Sequence, residues 1–419
     1  MRAARLAFAL ALAAAGAGCR GASADDVPAL PDASDLEPGA VRGSGARLVW
    51  TFPGTEPVYA APAIDDSTIV IGDYAGRVTS LDRASGQPRW TFETGAAIEA
   101  PPLLVSDLVV VGGGAGRVFA LDRATGQERW QLATGAPVFG APVAAGSAIL
   151  AAGNDGVVHA VDRQTGEERW TWTAGGGVES IVHSPRTDLF WFGCKDGYLY
   201  AVRGSTREEA WRFRGESAFV APPRLADGVL YAAAFRGGLH ALRAATGEEL
   251  WRLDLGGTVK FAPVLDGGLL FVVAGEGELH ALDARTGRGR WRVAHAAGLG
   301  APHLADGRLL VGGGDGALFA LEEATGRPLW TFRADGELFG PPQTDGAALI
   351  VATLAGRVHA LALEDDAGAG AAGGGGAAGP GSGRPANRSA PRGEPSGPDP
   401  GAGRPERRPE AAPPGPPSP

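Results

Sequence analysis

The side chains able to ligate a metal, attack as a nucleophile or move a proton are few. His159, His240, His280 and His359 are a metal set by residue type, because neutral imidazole is a common ligand. A shared ion would need their ring nitrogens at about 2 Å from one point. Cys19 closes the stretch "GAGC" behind a short apolar run, the place of an acyl acceptor. Cys194 stands 175 residues further on, so with Cys19 acylated no intrachain disulfide can form. A lone Cys194 is expected to be a small buried apolar residue. Whether any of these groups converge depends on the elements that carry them.

Those elements repeat. Trp50, Trp90, Trp130, Trp170, Trp211, Trp251, Trp291 and Trp330 are spaced by 40, 40, 40, 41, 40, 40 and 39 residues. Such a period belongs to propeller blades or helical arrays, and the pattern inside it decides between them. From 137 to 172, "VFGAPVAA", "SAILAAG", "VVHAVDR" and "RWTWT" are short apolar or alternating runs cut by Gly and Asp turns. Four strands per repeat follow, and nothing has helical spacing. Glycine recurs in the second turn at Gly76, Gly116, Gly156, Gly197, Gly277 and Gly316, where a tight hairpin needs positive φ. In "ALDRATGQERW" (120–130), Asp122 can accept turn N–H groups and Gly126 can take the left-handed position. Trp130 is then free to wedge between neighbouring sheets.

The count closes a ring. "ARLVWTF" around Trp50 is a fourth strand with no preceding three, and 338–363 holds three strands with no following tryptophan. Joined, they complete an eighth blade. The expected fold is all-β, an eight-bladed propeller of four-stranded antiparallel blades, with Arg47–Phe52 as its clasp; closure leaves only short edges. Pro62, Pro102, Pro142, Pro223, Pro263 and Pro302 each lie 28 residues before a blade's tryptophan, on the innermost strand or at its start.

Placed on this frame, the four histidines occupy one equivalent position on different third strands, where other blades have Thr79, Phe119, Tyr200 and Phe319. Facing sheets lie about 10 Å apart, too far for a shared ion, so packing between blades is expected. A second ring lies nine residues after each tryptophan: Tyr59, Glu99, Phe139, Glu179, Val220, Lys260, Gly300 and Phe339. These loops surround the mouth of the central funnel, with Glu99 and Lys260 four blades apart. The mouth is an expected contact surface for an extended peptide or a small ligand.

The ends complete the domain organisation: a signal peptide over 1–19, a flexible tether over 20–45, the propeller over 46–364 and a disordered Gly/Pro/Arg-rich tail over 365–419. Arg2 and Arg5 precede the apolar stretch Leu6 to Ala15, which is too short to span a bilayer. By resemblance to bacterial lipoproteins, Arg20 after the cysteine, with no Asp there, implies the outer membrane in place of inner-membrane retention. The tail has too little large apolar surface to fold. A net charge of −9 excludes a basic nucleic-acid-binding face.

The pattern A-x-D-x-x-T-G-x-x-x-W resembles the tryptophan-docking motif of PQQ-like (quinoprotein-type) propellers. It matches at 120–130, 160–170 and 281–291, is weaker at 80–90, 241–251 and 320–330, and degenerates at 201–211, where Arg203 and Arg207 replace Asp and Gly. One branch of that fold, the quinoprotein dehydrogenases, holds pyrroloquinoline quinone and calcium in the funnel. Adjacent cysteines and a C-x-x-C-H haem site, typical there, are absent from this sequence. Lipobox, tether and compact blades together resemble the other branch, the BamB-type lipoproteins of the outer-membrane β-barrel assembly machinery. An Asp-x-Asp of that family is missing from the matching stretch "SAFVAPP", 217–223. The resemblance implies a non-catalytic scaffold without cofactor or metal site, lipid-anchored on the periplasmic side of the outer membrane and binding envelope proteins. The alternatives are a soluble periplasmic chain, a quinone-dependent oxidoreductase and a periplasmic small-ligand sensor.

Overall fold

The computed structural model describes residues 27–364 apart from Asp345 and Ala347. The expectations for the signal peptide with Cys19, for residues 20–26 and for the tail from 365 lie outside the described residues.

Within them the chain forms strands and turns only, arranged as eight antiparallel sheets. The second blade is typical: β7 (Leu103–Val105), β8 (Leu108–Gly113), β9 (Arg117–Asp122) and β10 (Glu128–Ala133) pair in sequence order. Every residue of β8 is buried, because a sheet lies against each of its faces. On β10 buried and exposed positions alternate, as befits an outer strand. The ring closes as the strand count requires. β2 (Ala46–Phe52) pairs with β33 (Val358–Leu363), which pairs with β32 (Ala348–Ala352) and then β31 (Gln343–Thr344).

Each fourth strand carries a one-residue irregularity just before its tryptophan, for example between Glu128 and Trp130. Such a bulge re-aims the side chain that follows it. The indole leaves its own sheet and lands on the third-to-fourth-strand turn of the next blade. Trp50, Trp90, Trp130, Trp211, Trp251 and Trp291 donate Nε1–H to a carbonyl of that turn at 2.8–3.1 Å. Their rings cover Gly86, Gly126, Gly166, Gly247, Gly287 and Gly326, where a Cβ would lie only 2.5–2.7 Å from the indole. Glycine is required twice, by the ring above and by a φ of about +70°. Asp122 accepts the N–H groups of Ala124 and Thr125 at 3.1 and 2.9 Å, and Arg129, the bulged residue, pairs with its other oxygen. The charged hydrogen bond from Arg129, followed by those from Thr125, holds the Asp122 carboxyl down at about 2.

Two seams depart from this pattern. Arg207 replaces glycine opposite Trp170, at φ 61°. Trp330 meets no turn from the eighth blade; Gly45 lies beneath its indole instead. That glycine belongs to a segment expected as tether. From Pro28 to Arg42 the chain is a strap: Leu30 and Ala33 are buried against Phe271, Val293 and Phe319. Leu30 N–H donates to Ala294 O at 2.8 Å, and β1 (Val41–Arg42) adds a fifth strand beside β30 (Pro328–Arg333). A flexible tether is therefore wrong for these residues. The outer edges of the sixth and seventh blades offer unpaired backbone groups and an open apolar seam, and single apolar residues in a Pro/Asp-rich stretch suffice to fill them.

Gly126→Ala is expected to destabilise the fold by roughly 2 kcal/mol, since it adds both φ strain and a clash with Trp90. Urea denaturation followed by tryptophan fluorescence measures it.

Candidate functional site

The connector from each blade to the next is built on one apolar anchor. Val58, Ile98, Val138, Val178, Phe219, Val259, Leu299 and Leu338 are all buried. Most of them donate their N–H to the second-to-third-strand turn of the blade just left, as Ile98 does to Asp73 O at 3.1 Å and Leu338 to Gly313 O at 3.1 Å. Ile98, Val138 and Leu338 also press against Gly72, Gly112 and Gly312, where a Cβ would clash. The residues that follow the anchors are the eight of the expected ring.

The structure divides that ring into two unlike arcs. On one, Tyr59 meets Tyr74 at 5.4 Å and Phe339 at 6.0 Å, and Phe339 meets Phe261 at 5.1 Å. Phe261 and Phe339 come from connectors two apart. They touch because Gly300, the ring residue between them, has no side chain. Tyr74 and Phe339 remain 43 % and 37 % exposed, which makes this arc an open apolar surface.

The other arc is charged. Lys195 pairs with Glu179 at 2.5 Å, donates a hydrogen bond to Asn154 Oδ1 at 2.7 Å and lies 5.8 Å from the Phe139 ring centre. Burial first, then the negative charge of Glu179, push the Glu99 carboxyl above its ordinary value. The charge that Glu99 feels is thus Glu179, and no contact joins it to Lys260, which is exposed. Val220 is half-buried. Tyr74, Lys195 and Phe261 were missed by the nine-residue spacing, since two sit on strand-to-strand turns and the third one place beyond.

The four histidines lie in four different seams. His240 bridges Glu249 at 2.7 Å and Glu216 at 3.0 Å and packs on Phe213, a residue of the preceding blade. His359 reaches Asp335 at 3.1 Å and packs on Phe332 in the same way. His159 and His280 lie near Glu168 and Glu278. His295, not singled out by the sequence, contacts Asp315 at 3.1 Å. Among the described residues no three His, Cys, Asp or Glu side chains converge as a metal site requires. Cys194 is buried, and burial pushes its thiol up to about 12.

The family model described as outer membrane protein assembly factor BamB matches residues 40–213, 195–298 and 275–369. The chain belongs to the BamB family. No curated protein sequence matches it. BamB from Moraxella catarrhalis superposes with a TM-score of 0.66 at 18 % identity, over 76 % of this chain and 99 % of that one. Quinohemoprotein alcohol dehydrogenase from Comamonas testosteroni gives 0.66 at 16 % identity, over 76 % of each chain. A europium-containing methanol dehydrogenase gives 0.68 at 14 %, over 76 % of this chain and 93 % of that one. At such identities these superpositions carry the fold alone.

Because the folded-state pKa of Glu99 is raised, its contribution to stability is full below the unfolded pKa and is lost as pH rises through the folded value. Glu99→Gln should therefore raise Tm at pH 7 and leave it unchanged near pH 3, by calorimetry at both.

Proposed function

We propose that this BamB-family propeller is a non-catalytic scaffold of the cell envelope that docks protein partners at its funnel mouth in outer-membrane protein assembly. Family membership over most of the propeller supports the reading. The observation that carries it is the aromatic arc Tyr74–Tyr59–Phe339–Phe261, half of it open to solvent. Exposed aromatic rings held by a rigid ring of connectors are the usual energetic centre of a protein interface. The charged arc across the mouth, with Glu99, Glu179 and Lys195, would set the partner's orientation more than its affinity. In the same reading Cys19 carries the lipid that holds the scaffold to the periplasmic face of the outer membrane; several acyl chains, at roughly 0.8 kcal/mol per buried CH₂, anchor durably.

Quinone-dependent oxidation is the competing reading, on the strength of the dehydrogenase folds alone. One experiment separates them. A photo-crosslinking residue at position 339, in cells, should capture an outer-membrane assembly protein, with acylated Cys19 in the same material by mass spectrometry. Tyr74→Ala with Phe261→Ala should weaken that capture at least about tenfold. Quinone absorbance in natively purified protein, with no protein captured, would overturn the scaffold.

A further inference from the structure

The seam between the third and fourth blades lacks the dock that six other seams share. A glycine with no Cβ lets the indole settle in those six, with its Cβ position 2.5–2.7 Å from the ring. Arg207 stands there opposite Trp170, and a real Cβ cannot be approached so closely. Among the described residues the Trp170 Nε1–H makes no hydrogen bond, whereas the six docked indoles each donate one to the turn.

A cavity of about 330 Å³ opens where the contact would have been. Its aromatic side is Trp170 and Phe190, 6.1 Å apart, with the His183 ring stacked on Phe190 at 4.7 Å. Its polar side is Asp188, Ser205 and Arg169. The fourth blade builds that side with a longer loop between its first two strands: five residues separate β15 (Val178–His183) from β16 (Leu189–Cys194), where two separate β7 from β8. That loop presents Asp188, whose carboxylate is held by Ser205 N–H at 2.9 Å and by the Ser205 hydroxyl.

We propose that this seam is a binding site for a single neutral pyranose ring, stacked on Trp170 and hydrogen-bonded to its Nε1–H and to Asp188. A pyranose has an apolar C–H face and a rim of hydroxyls that both donate and accept. The cavity offers the matching halves: an aromatic floor, an orphan donor, a fixed carboxylate acceptor and a serine hydroxyl. Its size is that of a small-ligand pocket. The Arg169 charge is compensated by Asp162, so nothing there recruits a phosphate. Burial lowers the His183 pKa and favours the neutral ring. An aromatic side chain would fill the floor and leave the polar rim unpaired. The site is separate from the mouth and independent of the scaffold reading.

The test is a ¹⁵N–¹H titration of the tryptophan indoles in the whole protein, with Trp170→Phe identifying the Trp170 signal by its loss. Methyl β-D-glucopyranoside should shift that signal saturably. Asp188→Ala should weaken binding at least about tenfold, as loss of a hydrogen bond to a charged group does. Arg207→Gly restores the docking glycine; it should move the Trp170 signal toward the six docked indoles, raise Tm and abolish binding. No saturable shift with the pyranoside, tighter binding of N-acetyltryptophanamide or inorganic phosphate, or undiminished binding in Arg207→Gly would each overturn the site.

Discussion

An indole can lie flat on a polypeptide turn only where the turn carries no Cβ beneath it. This constraint organises the molecule. It couples the last strand of one blade to the third turn of the next, so tryptophan and glycine must recur together, about one blade apart. The coupling combines the burial of a large ring, roughly 150–250 Å² each, with one hydrogen bond and one steric requirement. A sheet twisted like a propeller blade cannot cover its own faces. The dock sets the relative position of adjacent sheets, and the apolar second strands then pack in the seams between them.

From this follows the division of labour between the two ends of the ring. On the turn side, Asp, Thr, Arg and Trp are committed to holding blades together. On the connector side, the anchors Val58 to Leu338 do the holding, and the next residue differs from blade to blade. Variation at those eight places yields an aromatic arc and a charged arc on one scaffold. Where the dock itself fails, at Arg207, the seam opens; where the turn is missing, at Trp330, a strap from the N-terminal side supplies a glycine in its place.

Legibility in the sequence tracks repetition. Trp, Gly126 and Asp122 stand at fixed offsets, so blade number and closure by Arg47–Phe52 could be read directly. The strap could not: Leu30, Ala33 and Val41 are single apolar residues with no period, and their partners lie more than two hundred residues away. Tyr74, Lys195 and Phe261 were hidden because side-chain contact across the mouth depends on which neighbour is small, as at Gly300. The break in the motif at 201–211 was visible as letters. Its consequence, a seam without the glycine dock and with a cavity beside Trp170, depends on how the folded blades pack.

The most direct measurement of the central claim is hydrogen–deuterium exchange of the ten indole N–H groups by NMR. The account predicts that Trp50, Trp90, Trp130, Trp211, Trp251 and Trp291 exchange slowly and together, as one cooperative ring, while Trp170 exchanges fast. Fast exchange at the six docked indoles, or protection of Trp170 equal to theirs, would contradict it.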